Sequence, residues 1–395
     1  MAGSATNIIY LPAFLGQHMH ILIFETTHFE AAYPLIRLFD MPGNRISIFC
    51  EEQTSRQLHW LLQEDAARFH WTVQSPGVSR RHFIGELKRY CEARQVDWLW
   101  LNTVSDNFIF FAALRRQLPA VRMTVTLHAL RSYIAPRFNW APRRIVRVIG
   151  KKMMRARFTE YNVLSPLLLP FAQQQLPAGT TVHTIPGGIF EEEKYMPAYN
   201  GSLRLVVPGS VDIRRRDYSF IYQLLQQAEL AGLPLHISLA GGPGTGGQEW
   251  ISRFSRFRGE YAQVSCFEEH VEQEQFDTLI REAHFILHPS VLDTVLEDGA
   301  AESYGRTVYS GNFSDAIRHA RPLILPALLP VEPQLQSAVL SYTDCGSLLD
   351  TLMQLHEHPR QVERYQQWAL EVSQLFTADA IRTRYPSLFI PANAG

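Results

Sequence analysis

Several polar clusters in this 395-residue chain each follow a run of β-forming residues. Pro208-Gly-Ser-Val-Asp-Ile-Arg-Arg-Arg-Asp217 sets Gly209, Ser210 and three consecutive arginines, Arg214, Arg215 and Arg216, between an apolar run and a helical pattern. Guanidinium groups stay charged and fit phosphate oxygens as a fork. The stretch is therefore either a phosphate grip or a solvated turn. Gly241-Gly-Pro-Gly-Thr-Gly-Gly247 has the same placement. Glycines there let backbone N–H groups approach a phosphate, and a following helix adds its dipole. It is neither GxGxxG in register nor a Walker loop, and a flexible connection would use the same residues.

A third cluster starts at His288-Pro-Ser290. A polar loop with Asp293, Glu297, Asp298 and Glu302 follows, then Tyr304-Gly305, then Ser310-Gly-Asn-Phe-Ser-Asp315 at the start of a helix. Carboxylates in a cleft-facing loop can accept hydrogen bonds from ribose or sugar hydroxyls. Ser310, Gly311 and the helix N–H groups can hold phosphate. Asp315 also reads as a first-turn acid that complements the helix dipole. His128 follows the run Thr124-Val-Thr-Leu127, and His28 follows His20-Ile-Leu-Ile-Phe-Glu25. Each is either a structural histidine or a cleft histidine able to bond a sugar hydroxyl.

Residues 129–159 hold no Asp or Glu but carry Arg131, Arg137, Arg143, Arg144, Arg147, Lys151, Lys152, Arg155 and Arg157. Tyr133, Phe138, Trp140, Ile145, Val146, Ile149, Met153 and Met154 are interleaved. Such a stretch is a solvated helix or a face for an anionic membrane surface, expected over 131–157. Nucleic-acid binding is not expected, because no other basic patch exists and net charge is only -1.

The elements that must position these clusters alternate between two patterns. Strands are predicted at 20–25, 45–50, 71–74, 97–101, 122–127, 161–164 and 181–185, with helices at 29–39, 81–94 and 108–117. After Tyr195-Met-Pro-Ala-Tyr-Asn-Gly201 the rhythm restarts. Strands are predicted at 203–207, 235–239, 264–267, 284–288 and 322–325, the last one in the chain. Helices are predicted at 218–231, 249–260, 273–283 and 311–319, with helical structure at about 347–376. Strands of Val, Ile and Leu alternating with helices imply parallel sheets covered on both faces. The expected fold is α/β, two Rossmann-like doubly wound domains facing a cleft, with ligands at the carboxyl ends of the strands. The expected division is 1–198, 199–376, and a tail at 377–395 packing back toward the first domain.

Apolar residues make up 46% of the chain and charged ones 19%, so each half can bury a core. Cys50, Cys91, Cys266 and Cys345 are far apart and form no CxxC pair, which fits reduced thiols in the cytoplasm. No basic segment with an apolar run opens the chain, and no run of about 18 uncharged apolar residues would span a bilayer.

In this order the landmarks resemble the GT-B glycosyltransferases, within them the retaining enzymes of family 4 type, over most of the chain. Val125-Thr-Leu-His-Ala129 resembles V-T-x-H-D, with Ala129 where the family often has Asp. Thr184-Ile-Pro-Gly-Gly-Ile189 resembles the I-P-N-G-V crossover. Val207-Pro-Gly-Ser210 with Arg214–Arg216 resembles G-R-x4-K, Ser210 standing at the family's arginine. Leu239-Ala-Gly-Gly-Pro243 resembles V-G-x-G-P, and Pro289-Ser290 the familiar P-S pair. Glu302 resembles the first glutamate of E-x7-E, and Asp315 takes the second one's place across an insertion.

The resemblance implies an NDP-sugar-dependent hexosyltransferase acting on a glycan or lipid-linked glycan, and the basic stretch at 131–157 is expected to set it, as a cytoplasmic protein, at the inner face of the membrane. His128 and Glu302 are its expected catalytic residues. Gly209, Ser210, Arg214, Arg215, Gly241, Gly242, Phe267, Tyr304, Gly305, Ser310, Gly311 and Asp315 are expected to bind the donor. No Asp-x-Asp motif appears, so metal independence is expected, with no cofactor besides the donor sugar nucleotide. An NDP-sugar 2-epimerase, which shares the fold, and an inactive scaffold are the rival expectations.

Overall fold

Seven parallel strands build the first sheet: β1 (His20–Glu25), β2 (Arg45–Cys50), β3 (His70–Val73), β4 (Trp98–Leu101), β5 (Arg122–Leu127), β6 (Glu160–Val163) and β7 (Thr181–His183). Their order is β3-β2-β1-β4-β5-β6-β7. The computed structural model describes residues 18–136, 142–191, 195–296 and 299–389. The helices of this half are α1 (Phe29–Phe39), α2 (Glu52–Leu62), α3 (Arg80–Arg94), α4 (Phe108–Gln117), α5 (Leu130–Ile134), α6 (Pro142–Arg157) and α7 (Leu169–Gln175).

The inner strands β1, β4 and β5 are buried along nearly their whole length, as sheets covered on both faces require, while the edge strands β3 and β7 are partly exposed. Trp98 and Trp100 sit two residues apart on β4, and their Nε1–H groups donate to Thr124 and Thr126 Oγ1 at 2.9 Å each. That pairing lets two indoles enter the core with no polar atom unmatched. Phe39 of α1 packs against both.

The second sheet orders β10 (Ala262–Ser265), β9 (Leu235–Ala240), β8 (Leu203–Pro208), β11 (Phe285–Leu287), β14 (Leu323–Pro326) and β15 (Val339–Tyr342), all parallel. Between β11 and β14 the chain makes the antiparallel hairpin β12 (Asp293–Val295) and β13 (Ala301–Ser303). The helices are α8 (Tyr218–Leu230), α9 (Gly247–Phe254), α10 (Gln273–Glu282), α11 (Gly311–His319), α12 (Cys345–Glu357), α13 (Pro359–Ser373), α14 (Ala378–Arg384) and α15 (Pro386–Phe389). From α14, Arg382 donates to the carbonyls of Arg37, Leu38 and Asp40, placing a cation at the carboxyl end of α1.

The fold is therefore α/β with two Rossmann-like halves, as the alternating pattern predicts. Several details differ: α2 and α7 are not among the expected elements. A short strand, β15, follows the one expected to be last. The loop after β11 is partly a hairpin, because Thr294 and Glu302 alternate inward and are buried. The helix expected to run to 260 ends at Phe254, with Ser255 as its cap.

Candidate active site

In both sheets the strand order reverses beside the first strand: β1 lies next to β4, and β8 next to β11. Ligands of doubly wound sheets bind at the carboxyl ends of the strands at such a switch point. A 590 Å³ cavity lies there, lined by residues of both halves.

Its second-domain wall starts at Gly209, whose φ of +87° turns the chain off β8. A Cβ on Gly241 would come within 2.5 Å of Gly209 backbone, so glycine lets the loops after β8 and β9 pack together. Val211 N–H donates to the Gly242 carbonyl, and Gly244 N–H to that of Val211. The three arginines then diverge. Arg214 folds back onto buried Asp212 at 2.6 and 3.0 Å. Arg215 faces the cavity, its side chain 48% exposed. Arg216 is buried; it donates to the carbonyls of Pro208 and Ser210 and reaches Asn312 Oδ1 at 3.4 Å.

Asn312 lies in the first turn of α11, where Ser310 is the N-cap and its Oγ accepts from Asn312 N–H. His288, just past β11, bonds Ser310 Oγ at 2.6 Å. Burial, then the charge of Arg216, lowers the His288 pKa to about 3, so the ring is neutral. Three buried polar atoms of these lining residues have no hydrogen-bond partner: Arg216 Nε, Asn312 Nδ2 and His288 Nδ1. Orphans of this kind are rare and call for an explanation. Clustered at a helix N-terminus, they fit an anion-binding cradle.

The first-domain wall is organised by Glu25, fully buried at the end of β1. Its Oε1 accepts from the N–H groups of Thr26, Thr27 and His28 at 2.6, 2.6 and 2.8 Å. Its Oε2 accepts from Asn102 Nδ2 at 2.6 Å and Thr103 Oγ1 at 2.8 Å. His28 and His128 stack at 4.6 Å. Burial opposes charge on His28, but Glu30, 2.9 Å from its Nδ1, raises its pKa to about 9. Burial and the charged His28 lower His128 to about 3. His128 Nε2 lies 2.9 Å from the Asn102 carbonyl, so it carries the proton and leaves Nδ1 as an acceptor. Arg215 is near enough to His28 to disfavour its charge, so the two walls face each other closely.

Of the expected residues, Gly209, Ser210, Arg215, Gly241, Gly242, Tyr304, Ser310, Gly311, Asp315 and His128 line this cavity. Four stand elsewhere. Arg214 is held by Asp212. Phe267 lies past the end of β10, half-buried, and His270 and Val271 reach the cavity instead. Gly305 packs on Pro330. Glu302 is fully buried on β13 and accepts from Ser132 N–H at 2.7 Å and Arg131 N–H at 3.4 Å. It caps α5 of the other domain, because the hairpin turns this carboxylate away from the cavity. Glu297 and Asp298 lie outside the described residues. Glu25, His288 and Asn312 were absent from the expected set, and Arg216 was expected only as one of the phosphate-gripping run Arg214–Arg216. His288 and Asn312 were visible as a strand end and a helix first turn, whereas the reach of Glu25 across to β4 had no sequence signal.

Asp315 lines the cavity, and burial raises its pKa to about 7, opposed by Arg318 and assisted by Glu30 across the cleft. The unfolded carboxyl titrates near 3.9. Between these values the folded protein holds the proton more tightly, so stability falls as pH rises from about 4 to 7 and the loss is complete above 7. Asp315→Asn is expected to raise stability at pH 8 by about 1–3 kcal/mol, allowing for screening in the cleft, with no gain at pH 4. Thermal melts at both pH values check this; equal gains would refute it.

No family model and no curated protein matches the chain in sequence. Solved structures do match in fold. A crystal structure of Anabaena Alr3699/HepE in complex with UDP and glucose has a TM-score of 0.60 at 12% identity, covering 94% of this chain and 99% of that one. The pneumococcal O-GlcNAc transferase GtfA in complex with UDP and GlcNAc has a TM-score of 0.58 at 10% identity, covering 94% and 98%. UDP-GlcNAc 2-epimerase from Neisseria meningitidis bound to UDP-GlcNAc has a TM-score of 0.54 at 12% identity, covering 93% and 100%.

Proposed function

We propose, from the premise that this chain is a divergent protein of the GT-B fold, that it moves a hexosyl unit from an NDP-sugar to a hydroxyl of a glycan or lipid-linked glycan. The observation that carries this reading is the cradle at the start of α11, where Arg216 Nε, Asn312 Nδ2 and His288 Nδ1 are buried without partners beside Arg215. A diphosphate supplies the acceptors these groups lack. In the reaction the bond from C1 to the phosphate oxygen breaks and the diphosphate leaves with the electron pair. The acceptor oxygen bonds to C1, and its proton leaves with the diphosphate. Arg215, Arg216 and the amino end of α11 stabilise the departing charge without a metal. His128 Nδ1 accepts from a sugar hydroxyl. Retention at C1 follows from the resemblance to family 4 enzymes.

The test is UDP release from UDP-sugars with and without a panel of glycan acceptors, in the presence of EDTA. Acceptor-dependent release supports transfer. An NDP-sugar 2-epimerase is the second reading, favoured because two groups able to carry a proton, Asp315 and His28, line the same cavity from opposite walls. It predicts donor isomerisation with no acceptor. If neither UDP, GDP nor any of their sugars binds in a thermal-shift titration, the chain is an inactive scaffold.

The proposal also places the first domain on an anionic membrane at the cytoplasmic face, through α6. No helix among the described residues is long and apolar enough to cross a membrane. Arg143, Arg144, Arg147 and Lys152 are exposed on α6 with Val146 and Ile149, 54% and 47% exposed. Lys151 does not belong to this face: it is buried and donates to the Ser132 carbonyl at 2.7 Å. Arg155 and Arg157 bond the carbonyls of Ile134 and Ala112. Arg137, Phe138 and Trp140 lie outside the described residues. Juxtamembrane cations contribute roughly 1 kcal/mol each. Arg143→Glu, Arg144→Glu and Lys152→Glu together are expected to abolish co-sedimentation with anionic liposomes at unchanged thermal stability. Equal sedimentation would refute the membrane face.

A further inference from the structure

A second cavity, of 410 Å³, continues below the first between the same helices. Four walls step along from one to the other. On α1 the lining passes from Glu30 above to Tyr33 and Arg37 below, and on α2 from Gln57 to Trp60. On α10 it passes from Gln273 to Asp277 and Arg281, and on the crossover from Gly187 to Ile189 and Glu191. Arg318 of α11 lines both cavities. From Glu30 to Arg37 the axial step is about 10 Å at roughly 1.5 Å per residue. That is the reach of a short oligosaccharide.

Three features of the lower cavity suit a sugar chain. Trp60 is 38% exposed at its wall, an indole face on which the apolar side of a pyranose can lie. Gln63 is held at φ +49° and ψ −127°, a conformation costly for any residue with a Cβ. Such strain persists where a binding role selects for it. His319 is 5% exposed, and its Nε2 has no hydrogen-bond partner although Asp277 Oδ1 is 3.3 Å away. Burial lowers its pKa to about 4, so a neutral imidazole faces the cavity.

The charges in this cavity are largely matched. Arg37 pairs with Asp65 at 2.5 Å and with Glu191 at 2.7 Å, and Arg318 pairs with Asp277 at 2.6 Å. Matched pairs leave hydrogen-bonding edges but little net field, which favours neutral hydroxyls over phosphate or carboxylate.

We infer that this lower cavity is a subsite for a neutral oligosaccharide, holding the acceptor's sugar units beyond the one that reacts. The inference rests on the upper cavity being the donor site. Cellotriose, chitotriose and a triuronate serve as probes in saturation-transfer NMR. Cellotriose or chitotriose is expected to bind, and Trp60→Ala to weaken that binding at least tenfold while UDP affinity stays within about twofold. Gln63→Gly, which relieves the backbone strain, serves as a second variant: it should weaken the trisaccharide without lowering the melting temperature. The inference is overturned if no neutral trisaccharide binds, if only the triuronate binds, or if both variants bind like the parent. UDP titration separates the two readings. Trisaccharide binding that depends on Trp60 but comes without UDP binding keeps the subsite and removes the donor site. UDP binding without trisaccharide binding does the reverse.

Discussion

Replacing Arg215 and Arg216 together with alanine is expected to lower UDP affinity at least about 100-fold, while Arg214→Ala changes it by less than about threefold. The three side chains are neighbours in sequence but not in space. Arg214 is tied to Asp212 and gives nothing to the cavity. Arg215 faces it, with only a 4.0 Å approach to Asp212 to hold it. Arg216 is buried with an unpartnered Nε. A hydrogen bond to a charged group is worth roughly 1.5–3 kcal/mol, so losing two such contacts to a diphosphate amounts to 100-fold or more. Arg216 also ties the end of β8 to α11, so thermal melts must accompany the calorimetry. Arg215→Ala alone, which disturbs no buried contact, should still cost about tenfold. Parent-like affinity in the double variant would remove the diphosphate role.

Glu25→Ala is expected to be the most destabilising single change at the site, by roughly 3–5 kcal/mol in the unfolding of the first domain. One carboxylate accepts five hydrogen bonds there, three from successive backbone N–H groups and two from side chains on the segment after β4. Truncation strands all five donors, three of them buried. It also frees the backbone of His28 and the hydroxyl of Thr103, which lies 3.2 Å from His128 Nε2. The donor cradle belongs to the other sheet, so UDP affinity should change little at temperatures where the first domain stays folded. Urea unfolding followed by tryptophan fluorescence reads the loss, because Trp98 and Trp100 report on that core. A variant as stable as the parent would show that Glu25 does not organise this wall.

The sheets were legible because their strands are continuous apolar runs, and a run such as His20–Glu25 has few other ways to be buried. Strand order was not legible, since nothing local states that β4 lies beside β1. That order is what brings Asn102 and Thr103 to Glu25. Clusters placed at strand ends were positioned well: Gly209, Gly241, Ser310 and His128 all reach one cavity. Side-chain direction within a turn was not readable, which is why Arg214 and Arg216 exchanged importance. Glu302 misled for a different reason. The insertion around it folds as a hairpin whose alternation turns the carboxylate inward, and its partners, Arg131 and Ser132, lie about half the chain away.

A crystal structure of the protein with UDP tests the central claim most directly. The account predicts the diphosphate at the amino end of α11, its oxygens within hydrogen-bonding distance of Arg215, Arg216 Nε and Asn312 Nδ2. A diphosphate held anywhere else, or an empty cradle at millimolar UDP, would contradict it.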